Sequence, residues 1–134
     1  MAIVEIPRTV VNPILRHAQG APESEVCGLI ARGEDGMRVY PVANVAEEPE
    51  RLFAMDPQAQ IEAMRRMREA GEALFGIYHS HPHGPAAPSP TDLRQAAYPE
   101  ALYLVVSLDT EGVLQMRGFR LGGEAVEEVE LEVV

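Results

Sequence analysis

The sequence predicts a mixed α/β (α+β) domain, a β-sheet packed against two or three helices. Three observations carry that expectation. Segments with apolar residues at helical spacing alternate with apolar runs of strand length. One such run, Leu102 to Val106, is apolar throughout and reads as a central strand buried on both faces. No internal repeat, low-complexity stretch or linker divides the 134 residues, a length that suits one domain spanning 1–134 around one core.

Taken in order, Val10, Val11, Ile14, Leu15 and Ala18 recur at helical spacing and place a helix over about 8–19. Pro13 either kinks that helix or sits in the first turn of a shorter one capped by Asn12. Gly20 and Pro22 stop it. Val26 to Ala31 reads as a strand, Arg32 to Gly36 as a turn and Met37 to Val42 as the second arm of a hairpin. Residues 43–50 are a polar loop, and Arg51 to Met55 reads as a short strand. Asp56 is an N-cap with Pro57 at the first helical position, opening a helix that runs to about Ala70 before Gly71. On it Ile61, Met64, Arg65 and Arg68 share neighbouring faces, and Met64 and Met67 read as core filler. Ala73 to Ser80 is an apolar strand that ends in histidines. The loop 82–90 holds four of the eleven prolines, which makes it stiff. Ser89-Pro90-Thr91-Asp92 opens a further helix, and Val113 to Leu121 is another strand. At the end Val129, Leu131 and Val133 alternate with Glu128, Glu130 and Glu132, the pattern of a half-exposed strand with a solvated acidic face. That strand is also a candidate for edge-to-edge pairing in a homodimer.

Composition excludes several classes of function. Apolar residues make up 46% and charged ones 24%, ordinary for a soluble domain, while a 5% aromatic share leaves packing to aliphatic side chains. No apolar run approaches the roughly 18 to 20 residues that cross a bilayer. Met1 to Thr9 lacks the basic start and apolar block of a signal peptide, so the expected setting is cytoplasmic, without a membrane. Eleven basic against twenty-one acidic residues give a net charge of -10, which repels phosphate backbones. Nucleic acid is therefore not an expected partner, although Arg65, Arg66 and Arg68 form a small basic group. The single cysteine, Cys27, excludes an internal disulfide and reads as a small buried side chain.

Chemistry concentrates in His79-Ser80-His81, followed after seven residues by Ser89-Pro90-Thr91-Asp92. Residues i and i+2 of a strand project to one face, so both imidazoles converge on one point at the strand's end. The loop then returns at a helix start, where the Asp92 carboxylate closes a third ligand position. Two histidines, one aspartate and an open position describe a catalytic zinc, whose water has its pKa lowered to about 7 and which polarises a carbonyl. Alone, an H-x-H pair is a weak signal, and S-x-x-D is also a common helix cap. The joint pattern carries the reading. A base is needed to take a proton from the water; Glu25, at the start of a strand expected beside the histidines, is the candidate, with Glu23 as its competitor. His83 is read as a loop residue rather than a third histidine ligand, and His17 as a surface or boundary residue.

H-x-H, seven residues and S-x-x-D, with an upstream Glu before a Cys-Gly pair, resembles the JAMM (MPN+) metalloproteases. Pro22 to Leu29, Phe53 to Pro57, Gly76 to Pro82 and the stretch from Tyr103 to Glu130 resemble the short prokaryotic members. The resemblance implies a cytidine-deaminase-like fold and His79, His81 and Asp92 as ligands of one Zn2+. It also implies Glu25 as the general base that later protonates the leaving amine, and Ser89 as donor to the oxyanion. The substrate it implies is a ubiquitin-like sulfur-carrier protein, hydrolysed after its C-terminal Gly-Gly with release of an attached amino acid or tail. The tail is expected in a groove near His83 and Pro85. The alternatives are a non-catalytic scaffold and a deubiquitinase-like isopeptidase acting on other conjugates.

Overall fold

The computed structural model describes residues 2–109, 114–123 and 125–134. It contains strands β1 (Ile3–Ile6), β2 (Cys27–Gly33), β3 (Gly36–Val42), β4 (Ala73–His81), β5 (Leu102–Ser107), β6 (Gln115–Gly122) and β7 (Ala125–Val133). The helices are α1 (Arg8–Gln19), α2 (Pro57–Glu69) and α3 (Pro90–Gln95). One seven-stranded mixed sheet, ordered β1-β7-β6-β5-β4-β2-β3, holds them together. β4 and β5 run parallel in its middle, and β2 lies antiparallel to β4.

The pleat sorts side chains onto two cores. Leu102, Leu104 and Val106 of β5 join Tyr78 and the apolar stripe of α1 on one face. Tyr103 and Val105 join Ile77 and Ala63 and Met67 of α2 on the other. Every residue of β5 is buried, as expected of its continuous apolar run. The same alternation sends Ile77, His79 and His81 toward the α2 and α3 side, while Tyr78 and Ser80 face α1.

The register between β2 and β4 is fixed by a close fit. Gly28 lies opposite Tyr78, and a β-carbon at Gly28 would fall 2.4 Å from the tyrosine ring. That ring cannot withdraw freely, because Tyr78 Oη lies 2.8 Å from His17 Nδ1 on α1. Two residues further on, Ser80 Oγ accepts the amide of Val26 at 2.9 Å.

Several expectations need correction. The helix expected over about 8–19 is α1, and only the alternative of a shorter helix behind Asn12 falls, because Pro13 sits inside a helix that begins at Arg8. Arg51 to Met55 is not a strand; the segment makes a single bridge, Asn44 to Met55. On α2 the buried stripe is Ala63 and Met67, whereas Ile61 is 69% exposed. The strand expected over Val113 to Leu121 starts at Gln115; Val113 lies outside the described residues. β1 was not expected. It pairs parallel with residues 130–133 of β7, whose residues 125–129 pair with β6. The acidic face of β7 is not wholly solvated, since Glu128 pairs with Arg117 of β6.

Replacing Gly28 by alanine forces the Tyr78 ring off its position. Overpacking of this kind costs about 1–3 kcal/mol, read as a lower urea midpoint at unchanged m-value. An unchanged midpoint would show that the ring does not lock the register.

Candidate metal centre

The site is assembled from three pieces of backbone. β4 ends in His79 and His81, two residues apart and therefore on one face. Cys27 pairs with His79, and extending that register by two residues sets Glu25 opposite His81. α3 brings Asp92 in its first turn, held by a reciprocal cap. Ser89 Oγ accepts the Asp92 amide at 3.1 Å, and the Ser89 amide donates to Asp92 Oδ2 at 2.8 Å. In that cap the hydroxyl acts as acceptor, which leaves its own proton free to donate.

The loop between β4 and α3 is pinned as well as proline-rich. Ser107 Oγ donates to the Gly84 carbonyl at 2.6 Å, and the Leu108 amide donates to the His81 carbonyl at 3.0 Å. His81 Nδ1–H donates to the Pro85 carbonyl at 2.8 Å. A carbonyl can only accept, so that bond places the proton on Nδ1 and leaves Nε2 with a lone pair when the ring is neutral.

His79 Nε2, His81 Nε2 and Asp92 Oδ2 converge. The two nitrogens are 3.0 Å apart, and they lie 2.9 and 3.1 Å from the carboxylate oxygen. Around a tetrahedral zinc with bonds of about 2.0–2.1 Å, neighbouring ligand atoms are separated by roughly 3.3 Å. The donor set is also the right kind, two imidazole nitrogens and a carboxylate. The spacing and chemistry of the three groups therefore fit a small divalent cation. Glu25 offers an oxygen within 4.8 Å of both histidine nitrogens.

Electrostatics separate the two carboxyl groups. Burial works against ionisation of Asp92, but hydrogen bonds from both histidines and the Ser89 amide outweigh it and hold the carboxyl well below its ordinary range. Glu25 is 5% exposed, and its Oε1 is buried with no hydrogen-bond partner. Burial raises its pKa to about 7, opposed by His81 and reinforced by Asp92. Burial lowers the pKa of His79, which favours the neutral ring that a metal ligand must be.

Of the residues singled out in the sequence, His79, His81, Asp92, Glu25 and Ser89 meet in one place. Glu23 is exposed; it lies 3.7 Å from the exposed His83, outside the focus. His17 is the partner of Tyr78, and Cys27 is fully buried with its thiol donating to the Val42 carbonyl at 3.3 Å. Two neighbours escaped the sequence reading. Phe53 stacks on the His79 ring, with centroids 4.5 Å apart and planes at 26°. Asn44 hydrogen-bonds the carbonyl of Glu25. A polar loop offers no periodicity from which either role is visible.

Two depressions flank the focus. One of about 590 Å³ is lined by Glu25, Arg51, His81, His83, Pro85 and Ser89 among others. The other, about 280 Å³, is lined by Phe53, Ile77, His79, Asp92 and Tyr98 among others.

Comparison with known proteins identifies the family of the chain. The profile of a family described as prokaryotic homologs of the JAB domain matches residues 7–120. A desampylase of Haloferax volcanii is 39% identical over 105 residues, which cover 73% of this chain and 76% of that protein. A CysO-cysteine peptidase of Mycobacterium tuberculosis is 33% identical over 136 residues, covering 98% of this chain and 92% of the relative. A protein of Desulfitobacterium hafniense, solved in solution, has a TM-score of 0.84 to this structure at 34% identity, covering 98% of this chain and 92% of that one.

The raised pKa of Glu25 has a consequence for stability. Folding moves the group from its ordinary 4.5 to about 7, so the folded state holds a proton that the unfolded state has released. Its contribution is fully present below about 4.5 and is lost as pH rises through about 7. Metal-free protein should therefore lose stability relative to Glu25→Gln over that interval, measured by urea unfolding in chelator. A difference that stays constant with pH would show that the carboxyl is well solvated.

Proposed function

The chain belongs to the prokaryotic family of JAB-domain homologues, and from that membership we propose that it is a zinc-dependent peptidase acting after the C-terminal Gly-Gly of a ubiquitin-like sulfur-carrier protein. It releases an amino acid or tail attached there. The observation that carries the reaction type is Glu25: a buried carboxyl whose Oε1 has no hydrogen-bond partner, with a pKa of about 7, beside the focus of His79, His81 and Asp92. A general base works best near the operating pH.

His79, His81 and Asp92 are the residues that would hold the ion. Zinc, when bound, supplies a water acidified to a pKa of about 7 and a Lewis acid for the scissile carbonyl. Glu25 takes the proton of the attacking water and delivers it to the leaving amine. The Ser89 hydroxyl, free to donate, stabilises the oxyanion of the tetrahedral intermediate. The two depressions give the substrate a path on either side of the reacting carbonyl, and the Gly-Gly tail is assigned to the one beside His83 and Pro85. The two relatives are named for peptidase action on a cysteine adduct and for desampylation, which supports a carrier-type substrate.

The competing readings have less support. A scaffold needs no buried base, yet Glu25 is held at the site at the cost of its solvation. Arg65, the centre of the small basic group, is paired with Glu62 and Glu69, which weakens any affinity for nucleic acid. A cytoplasmic setting belongs to the proposal; no described helix is long and apolar enough to cross a membrane.

The test uses zinc-loaded protein and a sulfur-carrier protein extended beyond its Gly-Gly, with a lysine-linked conjugate in parallel. Cleavage after the second glycine is expected, abolished by chelator and restored by zinc. Glu25→Gln should lose about 10²–10⁴-fold in kcat while keeping its zinc. Turnover that survives this change would sink the mechanism. Preference for the conjugate over the extended carrier would favour the isopeptidase reading.

Ser89→Ala should lose about 10²-fold in kcat or more, and about 1 kcal/mol of stability with the cap. Alanine at His83 or Pro85 should raise KM; unchanged KM and kcat in both would remove the tail from that depression.

A further inference from the structure

Asn44 lies two residues beyond β3, outside the ligand set and outside both depressions. Its carboxamide has two N–H donors and an oxygen with two lone pairs. All four are used. Nδ2 donates to the carbonyls of Glu25, at 3.0 Å, and Leu52, at 2.9 Å. Oδ1 accepts the amides of Ala46 and Ala54, each at 3.0 Å. The carbonyls can only accept and the amides can only donate, so the partners leave one orientation for the group.

These four bonds join three stretches of chain, the second and third of which are also linked by the Asn44–Met55 bridge, where the Val45 amide donates to the Ala54 carbonyl and the Asp56 amide to the Ala43 carbonyl. One is the approach to β2, which carries Glu25. The second is the start of the loop after β3. The third is Leu52 to Ala54, which carries Phe53 against the His79 ring. The same loop holds Glu25 from its other side, because the Glu25 amide donates to the Pro49 carbonyl at 2.7 Å. Glu25 precedes β2 and has no ladder partner of its own, and its carboxyl Oε1 has no hydrogen bond to hold it. Its place beside the histidines therefore depends on backbone bonds, and Asn44 makes one of them.

We propose that Asn44 is a positioning residue for the hydrolysis: one side chain holds the backbone of Glu25 on one side of the metal focus and the Phe53 segment on the other. This rests on the reading of Glu25 as the base. Other side chains do not replace it. Aspartate keeps the acceptors and has no donors, glutamine is one methylene too long, and serine has a single donor. A residue that merely stabilises a surface loop would lower stability when replaced and leave the turnover of folded enzyme alone.

The experiment compares Asn44→Asp with Asn44→Ser, which removes donors without adding a charge near Glu25. Zinc-loaded, folded variants are assayed on the extended carrier protein well below their melting temperatures. Expected is a fall in kcat of about 10²-fold, the scale of a misplaced catalytic group, with KM changed by no more than about 3-fold. Zinc affinity, from competition with a chelator, should stay within about 3-fold, because no ligand is bonded to Asn44. Combined with Glu25→Gln, either change should add nothing further, since both act through one group. Amide exchange in the metal-free protein gives a readout without activity. In Asn44→Asp the Glu25 amide should exchange faster, while Ala46 and Ala54, whose acceptor is kept, stay protected. Unchanged kcat overturns the proposal, as does a loss that persists in full on the Glu25→Gln background or that tracks a loss of zinc. If wild-type turnover proves independent of Glu25, the functional reading fails, and unaltered exchange at Glu25 would still refute the placement by Asn44. Should Asn44→Asp not fold, Asn44→Ser carries every arm but the retained protection at Ala46 and Ala54.

Discussion

The register between β2 and β4 is the constraint on which the site depends. Side chains alternate across a strand, so a slip of one residue would turn Glu25 away from the face that carries His79 and His81. Tyr78 prevents it by occupying the space that any side chain at Gly28 would need. Its phenol is tied to His17, and the neighbouring Ser80 accepts from Val26. The residues between and beside the histidines thus have a structural task on the α1 face while the histidines work on the other. A five-residue segment, Ile77 to His81, serves both cores and the ion site through the period of two alone.

Two carboxyl groups close to the same histidines are driven in opposite directions, and the difference lies in their partners. Asp92 is held by hydrogen bonds that favour its charge, and Glu25 has burial without compensation. Pairs of acids separated in this way divide the labour between a permanent anion and a proton carrier. The capped first turn of α3 fixes the first, whereas the second hangs from a segment without regular structure. Secondary structure thus fixes His79, His81 and Asp92, and a loop fixes Glu25.

Much of this was legible in the sequence, for local reasons. Leu102 to Val106, the histidine-bearing strand, the hairpin around Glu34 and Asp35, and the caps at Asp56 and Ser89 each announce themselves within a few residues. The spacing of His79, His81 and the Ser89–Asp92 cap is legible in the same way, whereas Glu25 is preferred to Glu23 only through the family resemblance. β1 was not legible, because four residues without clear alternation become a strand only through a partner more than a hundred residues away. Arg51 to Met55 misled for the converse reason: its composition suits a strand, but Asn44 takes the hydrogen bonds that a neighbour would have made. On α2 the exposed Ile61 shows that an apolar side chain alone does not mark the buried stripe.

The parallel pairing of β1 with β7 carries a consequence for how the fold is reached. Ile3 meets Glu130 and Ile6 meets Val133, so β1 cannot be paired until a strand more than a hundred residues further along the chain is in place. Until then the β7 side of the sheet has no cover, and Ile6, wholly buried in the finished protein, has only part of its core around it. Contacts of such long sequence separation close late and slowly. The histidine strand and its neighbours can assemble earlier from nearer segments, which makes the last step of folding a seam far across the sheet from His79 and His81.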